Sequence, residues 1–265
     1  MRILVCVKRV PAPGARINVS ADGQSIETAH LGFTTSPHEE CALEEAVLLT
    51  EQNGGTVTVL TLGPPEAEEQ LRYAASVGAH EIVLIPNGPE GSVEPWDPQR
   101  TAAALTEAIE SIESDSGPFD LIMFGNESAD SGGFQVGVRV AYKLSRPIVN
   151  GIKDVELAMD GDSVTGVTAR RAVDAGFEVY ELPTPAVLGV KEGLNLPRYP
   201  TMKGRLASKK VEMSSLSIDA DEGGQAMVSL HQPEEQVSKT EILGDSEEAA
   251  VKVVDLLEEL GVLGS

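Results

Sequence analysis

The sequence predicts an α/β protein with a Rossmann-like, doubly wound and mostly parallel sheet. Short apolar segments alternate with helical patterns over roughly the first 145 residues, which indicates successive βαβ units. The 41% hydrophobic fraction and 26 glycines give an ordinary apolar share, and the 4% aromatic content makes the core aliphatic. The length of 265 residues suits one large domain, or one domain with an appendage.

Four strands and four helices follow in order through the first half. The first helix has the clearest signals: Ser36 is an N-cap, Glu39 completes a capping box, and Asn53-Gly54-Gly55 ends the helix. We predict strands over residues 2–8, 56–62, 81–85 and 119–124, and helices starting at Pro37, after Gly63-Pro64-Pro65, at Gln99 and at Phe134.

From about residue 147 the pattern changes to that of antiparallel strands. Val155–Met159 and Ser163–Arg170 flank Asp160-Gly161-Asp162, which is typical of a β-hairpin turn. Phe177–Glu181 and Ala186–Val190 are predicted strands. The sequence therefore predicts a β-hairpin region added to the parallel sheet.

The C-terminal part divides by charge. Residues 198–210 carry five basic side chains and no acidic one, whereas residues 211–265 carry thirteen acidic side chains and two lysines. Asp245 with Glu248 predicts a capping box for a final helix, with Val253, Leu257 and Leu260 on one face. The expected organisation is an α/β domain over 1–193, a loop over 194–210 and a C-terminal arm over 211–265. The helix of the arm is expected to pack on a partner, or alternatively on its own domain.

The formal net charge is −22, which excludes a nucleic-acid binder that relies on overall basicity. Repulsion among so many carboxylates disfavours the folded state in dilute buffer, and high salt screens this repulsion. We therefore expect a protein from a salt-adapted cytoplasm; a mesophilic acidic protein is the alternative. No signal peptide or long apolar run is present, which predicts a soluble cytoplasmic protein. Cys6, Cys41 and four scattered histidines form neither a disulfide framework nor a metal motif.

The loop after the fourth strand is the strongest candidate site. Gly125 to Gly133 is rich in small residues and precedes a predicted helix, so its amides and the helix N-terminus suit an anion such as phosphate. An ordinary βα turn fits the same residues, because neither GxGxxG nor GK[ST] is present. No catalytic constellation stands out, which disfavours an enzyme acting alone.

Several motifs in one order resemble the beta subunit of the electron transfer flavoproteins. They span residues 1–210, and the most specific is Leu194-Asn195-Leu196-Pro197-Arg198-Tyr199-Pro200. The others are Val7-Lys8-Arg9-Val10-Pro11, Ser36-Pro37 with Leu43-Glu44-Glu45-Ala46, Leu62-Gly63-Pro64, the Gly125 loop with Gln135-Val136-Gly137, and Leu182-Pro183-Thr184-Pro185-Ala186-Val187.

The resemblance implies a heterodimer whose alpha subunit holds most of a redox-active FAD, while the beta subunit holds a nucleotide, usually AMP. The terminal helix of the arm over 211–265 is then expected to pack on the alpha subunit. It also implies that Arg171 lies near the flavin, with an ion pair to Asp174 or Glu181 as the alternative role. Carried over by position, the cofactor-binding residues are Cys6, Ser36, Pro37, His38, Glu39, Leu62, Gly125, Asn126, Glu127, Ser128, Ala129, Asp130, Ser131, Gly132, Gly133, Phe134, Gln135, Val136 and Arg171.

The segment 194–210 resembles the family's recognition loop, which docks on acyl-CoA dehydrogenases and related partners. Met202 stands where the family places an apolar anchor. In a competing interpretation, the basic run pairs with the protein's own acidic tail. The implied docking residues are Leu194, Asn195, Pro197, Arg198, Tyr199, Met202, Lys203 and Arg205.

The predicted function is that of an electron-carrier subunit without bond-making chemistry of its own. It accepts electrons from dehydrogenases and passes them toward a membrane quinone oxidoreductase. Asn126 replaces a lysine common in the family; such loop variation also occurs in electron-bifurcating members, which bind a second FAD in place of AMP. A stand-alone adenine-nucleotide-binding regulatory domain is the alternative from a different class.

Overall fold

The computed structural model describes residues 1–88, 96–220, 223–233 and 240–263, and it divides the chain into two units, Met1–Leu230 and His231–Ser265. The strands are β1 Arg2–Val7, β2 Val10–Pro11, β3 Phe33–Thr34, β4 Thr56–Gly63, β5 Glu81–Pro86, β6 Leu121–Gly125, β7 Ile148–Asp160, β8 Ser163–Val173, β9 Gly176–Pro183, β10 Ala186–Val190 and β11 Met213–Ser215. The helices are α1 Pro37–Asn53, α2 Glu68–Val77 after a 3-10 turn at Pro65–Ala67, α3 Pro98–Ser116, α4 Val136–Lys143, α5 Met202–Ser208 and α6 Glu248–Glu259.

The main sheet of the first unit has the order β11-β5-β4-β1-β6-β10-β7-β8-β9. The strands from β11 to β7 pair in parallel, and β7, β8 and β9 pair antiparallel. The chain moves outward from β1 to β4 and β5, then returns to place β6 on the other side of β1. The predicted doubly wound, mostly parallel fold is confirmed, with its switch point between β1 and β6.

Two apolar layers cover the sheet, one on each face. On β1, Ile3 and Val5 pack with residues of α1 and α2, whereas Leu4 and Cys6 pack with residues of α3 and α4. Alternate side chains of a strand point to opposite faces, so a strand buried on both sides is apolar throughout. This burial accounts for the unbroken apolar run at the start of the sequence.

Helix α1 begins as predicted. The Ser36 hydroxyl accepts a hydrogen bond from the Glu39 amide at 3.2 Å, and the Glu39 carboxylate accepts one from the Ser36 amide at 2.8 Å. The Glu39 carboxyl group accepts a second bond, from the Lys8 amide at 3.0 Å. Glu39 is buried, and this burial raises the pKa of its carboxyl group to about 8, although the bonds from Ser36 and Lys8 act in the opposite direction.

Two helices differ from their predicted limits. Helix α3 starts at Pro98, one residue before the predicted Gln99, because Asp97 caps it, and it ends at Ser116 before Gly117. Helix α4 starts at Val136 rather than Phe134, because Phe134 takes a left-handed backbone conformation with φ of 53°. The loop before α4 is therefore longer than the sequence indicates.

The predicted hairpin is confirmed, with longer strands. Asp160 pairs with Ser163 across the turn, and Gly161 has φ of 60°, which a glycine adopts without strain. Strand β9 then pairs with β8, so β7, β8 and β9 extend the parallel sheet on one side.

The second unit contains α6. The predicted capping box of Asp245 and Glu248 is wrong: Glu247 occupies the N-cap position in a helical conformation, and no side chain caps the helix start. A capping residue needs an extended backbone to reach the amides of the first turn, which Glu247 lacks. Val253 and Leu260, predicted to share a face, are 42% and 65% exposed.

The environment of Glu39 predicts a pH dependence of stability. Its pKa is about 8 in the folded chain against an ordinary 4.5, so the folded state binds the extra proton between these values. Stability is therefore lost as pH rises through this window, by about 1.4 kcal/mol per pH unit from this group. Urea unfolding at several pH values should show this slope in the difference between the wild type and Glu39→Gln.

Glu110→Gln removes a carboxylate from an exposed position of α3 and serves as the control. It should leave the pH profile unchanged. Equal profiles for the wild type and Glu39→Gln would contradict a raised pKa at Glu39.

Candidate functional site

A cleft of about 440 Å³ opens between the start of α1 and the loop that joins β6 to α4. It lies at the carboxyl ends of β1 and β6, where the strand order reverses and where sheets of this kind bind ligands. Its lining is formed by Pro37, His38, Glu127, Ser128, Ala129, Asp130, Ser131 and Gly132. All eight are among the predicted cofactor-binding residues.

Gly125 permits the close approach of the two elements. A Cβ atom on Gly125 would lie 2.8 Å from Glu39 Cγ and 3.2 Å from both the Glu39 amide nitrogen and His38 Cβ. Only a residue without a side chain lets β6 end directly against the first turn of α1. The cleft depends on this contact, because it sets the distance between its two walls.

An ion pair joins the loop to the end of β1. Lys8 Nζ lies 2.6 Å from Asp130 Oδ2, and the Ser131 amide donates to the other oxygen of Asp130 at 2.7 Å. Burial raises the pKa of Asp130, but Lys8 and the hydrogen bonds to the carboxylate outweigh it and hold the pKa below its ordinary value. Asp130 is therefore ionised and neutralised by Lys8.

His38 connects the cleft to the chain beyond β10. Its Nδ1 accepts a hydrogen bond from the Glu192 amide at 2.8 Å, which assigns the proton of a neutral ring to Nε2. Nε2 lies 3.3 Å from Glu127 Oε1. The imidazole thus bridges Glu127 in the cleft loop and Glu192 in the segment after β10.

The polar groups of the cleft suit a phosphorylated nucleoside. Hydroxyl groups of Ser128 and Ser131, 2.8 Å apart, can donate to a phosphate, and Lys8 Nζ, whose charge is balanced by Asp130, has further N–H donors at the same loop. Carboxylates such as Glu127 accept hydrogen bonds from ribose hydroxyl groups. The volume falls in the range of about 300 to 1,000 Å³ usual for small-molecule sites.

Other predicted cofactor residues lie beneath or beside the cleft. Ser36 and Glu39 adjoin the lining residues Pro37 and His38 in sequence, Gly125 lies against Glu39, and Cys6 is buried in β1 in register with Phe124. Burial, and then the charge of Glu39, raise the pKa of the Cys6 thiol far above its ordinary value, so this thiol is neutral. Leu62 lies near the end of β4, Asn126 donates its amide to Val190 O, and Gly133, Phe134, Gln135 and Val136 lead into α4.

Arg171 lies on the hairpin and pairs with Glu178, not with Asp174 or Glu181 as the sequence suggested. Its Nε is 2.8 Å from Glu178 Oε2, and its Nη2 is 2.6 Å from the Tyr180 hydroxyl oxygen. Arg171 and Glu178 are directly opposite each other on β8 and β9, a pairing that strand register decides and local sequence does not reveal.

Arg171 is also close to the cleft loop. Arg171 Cδ and Asn126 Oδ1 lie 3.4 Å and 3.7 Å from the position that a Cβ atom on Gly151 would take. Gly151 has φ of 73°. The bend of β7 at this glycine thus brings the hairpin and the loop together.

The residues predicted to dock a partner fall into two groups. Tyr199, Met202, Lys203 and Arg205 are exposed, Tyr199 by 90% and Met202 by 76%. Leu194, by contrast, packs against the core, and Pro197 is half-buried. Asn195 and Arg198 bond to α1: Asn195 Nδ2 donates to Glu45, and the Arg198 guanidinium pairs with Glu44 and Glu51.

Sequence reasoning missed four residues that shape these regions. Lys8 and Glu192 belong to the cleft network, and Glu44 and Glu51 bind Arg198. Lys8 had a usable signal, since it directly follows β1 at the edge where ligands bind. Glu44 belongs to the quoted Leu43–Ala46 motif, but nothing local in the sequence indicated the partner of Glu44, Glu51 or Glu192.

Within the described part of the chain, no three His, Cys, Asp or Glu side chains are arranged to hold a metal ion. Over those same residues, the helices are too short or too polar to cross a membrane.

Comparison with known proteins identifies relatives over most of the chain. The profile of the family described as electron transfer flavoprotein domain matches residues 25–221. The chain is 33% identical to electron transfer flavoprotein subunit beta of Thermoanaerobacterium thermosaccharolyticum over 220 residues, which cover 83% of this chain and 79% of that protein.

Two further relatives extend the comparison. Identity to electron transfer flavoprotein subunit beta of Bacillus subtilis is 31% over 265 residues, which cover 97% of each chain. Identity to the caffeyl-CoA reductase-Etf complex subunit CarD of Acetobacterium woodii is 30% over 205 residues, or 77% of this chain and 73% of that one. The fold, the cleft and these matches agree: the chain belongs to the electron transfer flavoprotein family, among its beta subunits.

Proposed function

We propose that this chain is the beta subunit of a heterodimeric electron carrier in the cytoplasm. The heterodimer accepts electrons from dehydrogenases, such as acyl-CoA dehydrogenases, and passes them toward a quinone oxidoreductase. The chain performs no bond-making chemistry of its own. The observation that carries the proposal is the cleft at the β1 and β6 switch point, in a chain whose relatives are beta subunits of electron transfer flavoproteins.

The cleft is proposed to hold AMP. Ser128, Ser131 and Lys8 are the groups suited to its phosphate, and Glu127 is suited to its ribose. Asp130 is compatible with an anion nearby because Lys8 neutralises its charge. A small nucleotide held between α1 and the loop would stabilise the folded chain by mass action.

FAD, held mainly by the alpha subunit, supplies the redox chemistry when bound. The role proposed for this chain is electrostatic, and Arg171 is its candidate residue. Because Glu178 lies 2.5 Å from Arg171 Nη2, the carboxylate offsets part of the positive charge. The pair therefore has less net positive charge than an unpaired arginine would have.

The function is tested by purifying the chain with its alpha subunit and denaturing the complex. Chromatography of the released nucleotides should give one FAD and one AMP per heterodimer. Two FADs would support the electron-bifurcating alternative. A colourless preparation of this chain alone, with ATP or ADP bound, would overturn the proposal in favour of a regulatory domain.

Gly125→Ala tests the position of the nucleotide. The added Cβ would collide with Glu39 and push the loop from α1, so AMP should bind at least about tenfold more weakly, or about 1.4 kcal/mol. Calorimetric titration of AMP into the nucleotide-depleted heterodimer measures this change. Gly32→Ala is the matched control, since Gly32 lies outside the cleft lining and its Cβ would meet Ala12 Cβ at an ordinary 3.8 Å. Equal affinity in both variants would refute a binding site at this cleft.

Arg171→Ala and Glu178→Gln form a pair with opposite expectations. A cation near the flavin stabilises the negative charge that reduction adds, so Arg171→Ala should lower the first reduction potential. Glu178→Gln removes the carboxylate that offsets the Arg171 charge, so it should raise the first reduction potential. Spectroelectrochemical titration of both variant heterodimers measures these potentials. Two unchanged potentials would exclude Arg171 from this role.

Met202→Ala tests the docking assignment. Met202 is 76% exposed at the start of α5 and can fill a partner's apolar pocket. The variant should transfer electrons from an acyl-CoA dehydrogenase more slowly at unchanged flavin content, measured by stopped-flow absorbance. A rate equal to that of Lys209→Ala, an exposed control beyond α5, would argue against Met202 as an anchor.

A further inference from the structure

We propose that Glu44 and Glu51 of α1 are positioning residues for partner docking. Together with Arg198 they form a clamp that fixes the segment 194–210 on the protein surface. The inference rests on the proposed function, which assigns this segment to docking. It goes further because it assigns Glu44 and Glu51, two acidic side chains outside the segment, a role in positioning the segment.

The clamp is an ion-pair network around one guanidinium group. Arg198 Nε lies 2.9 Å from Glu44 Oε2, and Arg198 Nη2 lies 3.1 Å from Glu44 Oε1. The Glu51 carboxylate receives two more bonds, from Nη1 at 2.7 Å and from Nη2 at 2.9 Å. Two carboxylates that each face two guanidinium nitrogens hold the planar group in one orientation.

The backbone of the segment is held as well. The Arg198 amide donates to Glu44 Oε2 at 3.1 Å, and Glu44 is only 6% exposed. Asn195 Nδ2 donates to Cys41 O at 3.0 Å and to Glu45 Oε2 at 2.9 Å. The chain from Asn195 to Arg198 is therefore tied to α1 through backbone and side chains. Because Glu44 is buried, its carboxylate depends on Arg198 for a charge partner.

A second attachment holds the far end of the segment. Arg72 Nη1 donates to Ser208 O at 2.9 Å and to Val211 O at 2.5 Å, at the end of α5. A Cβ atom on Gly204 would lie 2.2 Å from Ser76 O, so α5 packs closely on α2. The segment is thus fixed at two points, one on α1 and one on α2.

Between these attachments, four large apolar side chains face solvent. Leu196, Tyr199, Met202 and Leu206 are 91%, 90%, 76% and 61% exposed. Apolar groups exposed on an ordered segment are typical of a surface that binds a protein. Holding them in place before encounter lowers the ordering cost of binding, which strengthens affinity without new contacts. The partner that fits is a protein with an apolar pocket.

The test uses Arg198→Ala in the heterodimer with its alpha subunit, followed by amide hydrogen exchange. The amides of residues 194–196, 198 and 199 should exchange about tenfold faster, because the side-chain bonds from position 198 to Glu44 and Glu51 are lost. If the bound conformation then forms only about a tenth of the time, the apparent KM for an acyl-CoA dehydrogenase rises about tenfold. The kcat and the flavin content should stay unchanged.

Glu51→Gln is the second variant, in case Arg198→Ala fails to fold. Glu51 lies at the surface, and its substitution leaves the contact between Arg198 and Glu44 in place. It should produce a smaller rise in KM and in exchange over the same residues. Unchanged exchange in Arg198→Ala and Glu51→Gln would overturn the clamp.

Met202→Ala separates the inference from the proposed function. If Met202→Ala raises the KM and Arg198→Ala does not, the clamp has no positioning role. If neither variant changes the KM, the docking function of the segment itself is refuted. If both raise it and only Arg198→Ala accelerates exchange, the positioning role is supported.

Discussion

The structure depends on one buried carboxyl group. Glu39 accepts hydrogen bonds from the amides of Ser36 and Lys8, and so ties the start of α1 to the end of β1. Gly125 at the end of β6 lies directly against it. Three elements therefore meet at a single side chain at the switch point of the sheet. Burying a carboxyl group is costly unless it is hydrogen-bonded, and here its bonds define the base of the cleft.

Helix α1 serves two surfaces at once. Its first turn forms one wall of the cleft through Pro37 and His38, and Glu44 and Glu51 farther along hold Arg198. His38 adds a direct link, because it contacts both Glu127 of the cleft loop and Glu192, just before the segment 194–210. Helix α1 therefore holds both the cleft and the segment 194–210 in fixed positions, which fits the proposed role of this segment in docking.

Local signals in the sequence predicted local structure well. The capping box at Ser36 and Glu39 spans four residues, and the alternation of strands and helices follows from short-range periodicity, so both were predicted correctly. Contacts between distant residues were not predictable. Arg198 lies 154 positions from Glu44, and nothing local selects that partner among 42 acidic residues. Phe134 delays α4 through a backbone conformation that its residue type rarely adopts. The same limit explains why Arg171 pairs with Glu178, since strand register, not proximity in sequence, brings them together.

The most direct measurement is a crystal structure of the heterodimer purified without added nucleotide. We expect nucleotide density in the cleft between His38 and the Ser128–Ser131 loop, with the phosphate near the two serine hydroxyl groups and Lys8. A cleft that contains only water, with the nucleotide bound elsewhere on this subunit, would rule out a nucleotide site between α1 and this loop.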